Sequence, residues 1–179
     1  MYIKVFIYKY EFILIIQFKG DDVVKPDMIY KELIQLDWDI TDQEEFFKKM
    51  AAKLEEKGFV KSSFFEAIKE REKNYPTALN IEPYPIAIPH VDPQHIIKPF
   101  IAATRLKNPV KWCEMGTSDV EQEVKFIFML GFLKSDEHIV LLQTLLENCQ
   151  KEDIMDKLLN SQDENEYQDV ILAMKDVEI

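Results

Sequence analysis

A chain of 179 residues, 47% hydrophobic and 31% charged, has the composition of one ordinary globular domain and is long enough to bury most of its unfolded surface. Its net charge of −11 argues against a nucleic-acid partner, because a phosphate backbone calls for a cationic footprint, and equally against an anionic membrane surface. Two cysteines without paired spacing, Cys113 and Cys149, give neither a disulfide framework nor a zinc site and read as reduced, packed thiols of a cytoplasmic protein.

The N-terminal run "MYIKVFIYKYEFILIIQF" is apolar but broken by Lys4, Lys9 and Glu11. It is too short to span a bilayer and lacks the small-residue cleavage site of a signal peptide. Its β-branched and aromatic part, "FILIIQF", predicts a strand, and "KGDDVVKPD" a loop. Residues 1–27 therefore read as an appendage, or as an upstream start that the cell does not use, ahead of a single domain over 28–179.

From Met28 the pattern alternates. A strand is expected around Leu33 to Leu36. Thr41 followed by Glu44 makes a capping box that opens a helix with Phe46, Phe47, Met50, Ala51 and Leu54 on one face, and Gly58 ends it. A second helix is expected from near Ser62 and Ser63 to about Lys73, with Phe64, Phe65 and Ile68 inward. "NYPTALNIEPYP" reads as loop, its prolines blocking regular pairing. Strands are expected at Ile86–Ile88, Phe100–Leu106 and Val124–Phe132, with a short one at Val110–Trp112 and a turn at Gly116 and Thr117. The run "VKFIFMLGF" is the most continuous, as a central strand covered on both faces should be. Three helices follow: "DEHIVLLQTLLENCQ", "KEDIMDKLLNSQ" and "NEYQDVILAMKDV". The fold class is α/β, a mixed sheet flanked by helices on both faces.

Three histidines are present, and "YPIAIPHVDPQH" holds two of them, His90 and His95. Pro89 ends the short apolar strand, so His90 stands at its mouth, with a fixed backbone and a ring that outside reagents can reach. A neutral imidazole is a nucleophile, and an ordinary histidine is mostly neutral at neutral pH. The plainer reading is a histidine that closes a strand and bonds to backbone. His138 falls in the first turn of a helix capped by Ser135 or Asp136, where free backbone N–H groups favour an anion such as a phosphoryl group. Its plainer reading is a solvent-facing polar residue. Sequence does not show that the two histidines meet.

The run "REKNYPTALNIEPYPIAIPHVDPQHIIKP" resembles the fructose/mannitol/galactitol-type (EIIA type-2) enzyme IIA proteins of the bacterial sugar phosphotransferase system, and the resemblance extends from about Ile29 to the C-terminus. It implies that His90 is phosphorylated, that His138, after Glu137, supports the phosphoryl group, and that Arg71 lies near the active site. Arg71 also suits the helix C-terminus as a cation there. "YPTAL" and "VDPQH" look more like galactitol-type members, with Ala78 where those members carry glycine, whereas the histidine at 138 looks more mannitol- and fructose-like. The implied function is a cytoplasmic phosphocarrier: His90 accepts a phosphoryl group from phospho-HPr and passes it to a cysteine of enzyme IIB, with membrane enzyme IIC involved indirectly. A regulatory enzyme IIA-like module, acting through phosphorylation-dependent protein contacts, needs the same histidine and stays open. No metal or cofactor is implied, and no direct membrane insertion. His95 reads as a loop residue, Thr77 and Thr117 as turn residues whose hydroxyls could also stand near the site, the acidic run Glu44, Glu45, Glu55 and Glu56 as a solvated helix face, and Trp38 and Trp112 as packing.

Overall fold

Side-chain alternation along two long strands decides the architecture. In the computed structural model these are β6 (Phe100–Cys113) and β7 (Glu121–Gly131), paired antiparallel. Described are residues 28–117, 119–134 and 138–174, side chains included except at 138–140, together with the backbone of 3–8 and 11–16. Successive side chains of a strand point to opposite faces. Phe100 and Ala102 of β6, with Ile127 and Met129 of β7, enter one core; Ile101, Ala103, Phe126, Phe128 and Leu130 enter the other. Both faces are buried, as the unbroken apolar run predicts.

The five-stranded sheet has the order β3-β6-β7-β5-β4, with β3 (Gln35–Trp38), β4 (Ala78–Leu79) and β5 (Ile86–Ala87). β3 runs parallel to β6, β5 parallel to β7, and β4 antiparallel to β5, so the sheet is mixed. Helices α1 (Gln43–Glu56) and α2 (Phe64–Asn74) cover one face; α3 (His138–Cys149), α4 (Glu152–Asn160) and α5 (Glu164–Leu172) cover the other. A separate hairpin pairs β1 (Ile3–Tyr8) with β2 (Glu11–Ile16), so "FILIIQF" is a strand in part. Among the described residues no helix is long and apolar enough to cross a membrane. The layered α/β class expected from the sequence is the one observed.

Local departures have physical causes. The strand expected at Leu33–Leu36 begins at Gln35, because Lys31–Leu33 winds into a 3-10 turn that buries Leu33. The α1 cap is Asp42, not Thr41. Its side chain accepts from the Glu45 N–H at 2.8 Å, and Glu45 reaches back to the N–H and hydroxyl of Thr41. The same four-residue spacing is thus satisfied one position later, by a better cap. The apolar face of α1 is buried as expected, and Gly58 follows the helix with φ +73°. Within "NYPTALNIEPYP", Ala78 and Leu79 do form a strand, since β4 pairs with β5 at the sheet edge, where proline neighbours are tolerated. Val110–Trp112 is not separate but continues β6 beyond an irregularity between Arg105 and Val110. Both cysteines are free, and burial pushes the Cys149 thiol up to about 12.

Candidate active site

His90 sits where β5 leaves the sheet. Ile86 and Ala87 pair with β7, Pro89 ends the strand, and the Pro89 carbonyl still accepts from the Leu130 N–H at 3.0 Å. His90 itself makes a single parallel bridge to Leu130. The backbone is therefore held by the central sheet while the ring, half-buried, projects past its edge.

The ring's protonation pattern follows from its partners. Nδ1 lies 2.8 Å from the Ile88 carbonyl oxygen, which can only accept, so Nδ1 carries the proton. In the neutral ring Nε2 then holds the lone pair. Arg71 Nη2, which can only donate, stands 3.4 Å from Nε2. Two donors-and-acceptors of fixed polarity thus select one tautomer, with the basic nitrogen turned toward a cation.

Arg71 comes from the last turn of α2. Its Nη1 donates to the Tyr75 carbonyl at 2.9 Å, and its guanidinium lies 4.7 Å from the Tyr75 ring centroid. Arg71 thus bonds just beyond the helix end and faces His90 with the same guanidinium. A groove of about 550 Å³ surrounds the pair, lined also by Asn74, Pro76, Thr77, Met115, Gly116 and Thr117. Tyr75 is 66% exposed and Met115 43%, giving the groove an apolar rim.

The other named residues divide. Thr117 donates to the Glu114 carbonyl and serves its turn, as expected, while also lining the groove. Thr77 is buried, and its hydroxyl goes to Glu72. His95 belongs to a 3-10 turn, Pro93–His95, and pairs with Ser63 Oγ at 2.8 Å outside the groove. Trp112 is core and Trp38 half-buried packing; the four acidic residues of α1 are exposed. His138 is the first residue of α3, as its position after a cap predicts. Its side chain and residues 135–137 lie outside the described residues, and so does the expectation that it joins His90.

Sequence reasoning missed Glu72. It is 2% exposed, and its carboxylate accepts from the Thr77 N–H at 2.7 Å, the Thr77 hydroxyl at 2.9 and 3.0 Å, and Trp112 Nε1–H at 2.8 Å. Burial pushes its pKa up, and these hydrogen bonds oppose the rise. The signal was present: Phe64, Ile68 and Glu72 are spaced four apart, so a carboxylate falls on the buried stripe of α2.

With this geometry in place, the comparisons are specific. Residues 27–174 match the family described as "Phosphoenolpyruvate-dependent sugar phosphotransferase system, EIIA 2". The chain belongs to that EIIA family. Membership makes it a phosphotransferase component of the sugar phosphotransferase system. The galactitol-specific EIIA component of Escherichia coli (strain K12) is 26% identical over 118 residues, 66% of this chain and 78% of that protein. Among solved structures, nitrogen regulatory protein IIA-Ntr from Neisseria meningitidis superposes with a TM-score of 0.67 at 22% identity, covering 82% of this chain and 97% of that one. Enzyme IIA mannitol from Escherichia coli, solved in complex with phosphorylated enzyme IIB mannitol, gives 0.64 at 20% identity, covering 78% and 94%. The EIIA fold is shared with both, and the resemblance to galactitol-type members is matched by the first relative.

Proposed function

We propose that this EIIA chain is a phosphocarrier in which His90 Nε2 takes a phosphoryl group from phospho-HPr and delivers it to a cysteine of an enzyme IIB. The observation that carries the reading is the selected tautomer: the Ile88 carbonyl holds the Nδ1 proton, which leaves the Nε2 lone pair beside Arg71 in an open groove. As the Nε2–P bond forms, the P–N bond to the donor imidazole breaks and its electron pair returns to that ring. The Nδ1 proton stays on His90, and the Ile88 carbonyl stabilises the positive charge that the ring acquires. Arg71 offsets the charge of the phosphoryl oxygens. In the second step a cysteine thiolate takes the phosphorus and His90 returns to its neutral form. Such transfers pass through loose, in-line transition states, so positioning and charge stabilisation supply most of the catalysis.

His138, at the start of α3, is the second proposed phosphoryl contact, together with that helix N-terminus. The complex of the mannitol relatives supports an enzyme IIB as the acceptor here; HPr as donor and a cytoplasmic setting are part of the proposal, suggested by the system named for the family. The test is incubation with phosphoenolpyruvate, enzyme I and HPr, with phosphopeptide mapping before and after candidate IIB proteins are added. Wild-type protein should carry acid-labile phosphate on the peptide containing His90, and a chain beginning at Met28 should be labelled to the same extent. His90→Ala should take up none. Normal labelling of that variant overturns the assignment, and phosphate that never leaves for any IIB favours the regulatory alternative.

A further inference from the structure

The groove around His90 is built from the end of α2 with Arg71, the Tyr75–Thr77 stretch that directly continues it toward β4, and, distant in sequence, the Met115–Thr117 turn that follows β6. Each leads to one buried carboxylate. Glu72 follows Arg71 on α2; it accepts from the Thr77 N–H and hydroxyl; and it accepts from Trp112 Nε1–H, close to the end of β6. Beyond Thr77 the connection continues to the nucleophile. The Thr77 carbonyl accepts from the Ile88 N–H at 3.3 Å, and the Ile88 carbonyl accepts from His90 Nδ1–H at 2.8 Å. The turn is joined in turn, since the Met115 N–H donates to the Ala78 carbonyl at 2.8 Å.

We infer that Glu72 is a positioning residue for phosphoryl transfer, setting the tautomer and orientation of His90 through Thr77 and Ile88. This deepens the phosphocarrier reading and rests on it. Glu72 touches neither the imidazole nor the groove's ligand space; it acts by fixing the backbone that does. A carboxylate suits the place because it accepts from several donors and donates to none, so every hydrogen bond in the cluster has one permitted polarity. Nothing in that arrangement requires the negative charge. A glutamine whose amide oxygen replaces Oε1 keeps the bonds from Thr77 N–H and Trp112 Nε1–H, and its amide group meets the Thr77 hydroxyl, which can accept. An alanine leaves both buried N–H groups without an acceptor, and the Thr77 segment loses its tether.

The experiment reads the His90 ring directly. Two-bond 1H–15N correlation spectra of wild-type, Glu72→Gln and Glu72→Ala proteins report the His90 tautomer, and phosphoryl transfer from phospho-HPr is timed on the same samples. Wild type and Glu72→Gln should show the Nδ1–H form and transfer at similar rates. Glu72→Ala, folded by circular dichroism, should lose the tautomer bias and transfer on the order of 10- to 100-fold more slowly, the loss expected when a reacting group is misplaced by a fraction of an ångström to one ångström. A folded Glu72→Ala with an unchanged His90 spectrum overturns the inference, as does a Glu72→Gln that behaves like the alanine. Should Glu72→Ala fail to fold, Thr77→Val decides: it removes only the hydroxyl bonds and should shift the tautomer ratio in the same direction by a smaller amount, and no shift overturns the inference. A Glu72-dependent tautomer in a protein that takes no phosphate from HPr would instead remove the phosphocarrier reading and leave the positioning intact.

Discussion

Arg71 Nη2 lies 3.4 Å from His90 Nε2 while Nη1 of the same guanidinium donates to the Tyr75 carbonyl at 2.9 Å. One planar group therefore closes the α2 C-terminus and faces the proposed nucleophile. A lysine cannot reproduce this, because a single ammonium on a flexible stem lacks the fork that reaches both positions. Arg71→Ala should slow transfer from phospho-HPr by about 10²-fold, the loss typical of one preorganised donor at a site of developing charge. Arg71→Lys should recover only part of the rate. Both variants should melt close to wild type, since the lost cap bond is exposed and contributes about 1 kcal/mol or less. Rapid-quench labelling beside thermal melts checks the pair, and an unchanged transfer rate in Arg71→Ala would return Arg71 to a purely helix-closing role.

His138 makes a separate prediction, because it stands at the other proposed source of positive potential. As the first residue of α3 it stands at a helix N-terminus, a position that in general favours an anion. His138→Ala should leave His90 able to become phosphorylated but slow the transfer on the order of 10²-fold. Equal rates in the variant and the wild type would assign His138 to the solvent-facing reading.

Much of this was legible in the sequence where one side-chain type repeats with one period. The buried face of α1, the doubly covered β7 and the placement of His90 at a strand mouth follow from apolar spacing and proline punctuation. The capping of α1 was off by one because Thr41 and Asp42 each stand three residues before a glutamate, and only the fold shows which pair closes. β4 was hidden because two residues flanked by prolines carry no periodicity; its pairing is supplied by β5. Arg71 was ambiguous because a long side chain at a helix end can satisfy the end and reach beyond it. Glu72 was missed because a carboxylate beside an arginine reads as half of a surface pair unless the i, i+4, i+8 stripe is followed to its end.

Two glycines separate backbone strain from steric conflict. Gly58 has φ +73° and open space where a Cβ would stand, so Gly58→Ala should cost about 1 kcal/mol through conformation alone. Gly131, paired with Phe100 across β6 and β7, would place a Cβ 2.3 Å from the Phe100 ring. Gly131→Ala should therefore cost about 1–3 kcal/mol or more, as an overpacked core does. Phe100→Leu should cost less when added to Gly131→Ala than when added to Gly58→Ala, because only in the first does it relieve the clash. Urea denaturation of wild type, the two glycine variants and the two double variants tests the contrast; a Gly131→Ala protein as stable as wild type would mean that the β6–β7 register is not the one described.

Among the described residues Arg105 is the cation most deeply committed to the fold. Nearly buried in β6, it donates to the carbonyls of Leu158, Leu159 and Ser161 at the end of α4, at 2.7–3.0 Å, and holds Asp37 through two further bonds of 3.0 and 2.8 Å. Arg105→Met should destabilise by about 3 kcal/mol, because three carbonyls lose their donor at once and two are buried with it. Asp37 is mostly solvent-exposed, so Asp37→Asn should cost under about 1 kcal/mol once screening is allowed for; asparagine also tolerates the φ of +54° at that position. The hydrogen bonds from Arg105 hold the Asp37 carboxyl below its ordinary value of 3.8. A depressed folded pKa adds stability above the unfolded value and loses it as pH falls through the folded one. The stability gap between wild type and Asp37→Asn should thus stay constant from neutrality down to about pH 5 and close only below about 3.8. Chemical denaturation at several pH values reads this directly, and a gap that does not change as the pH falls through and below 3.8 would show that the contact between Arg105 and Asp37 does not form in solution.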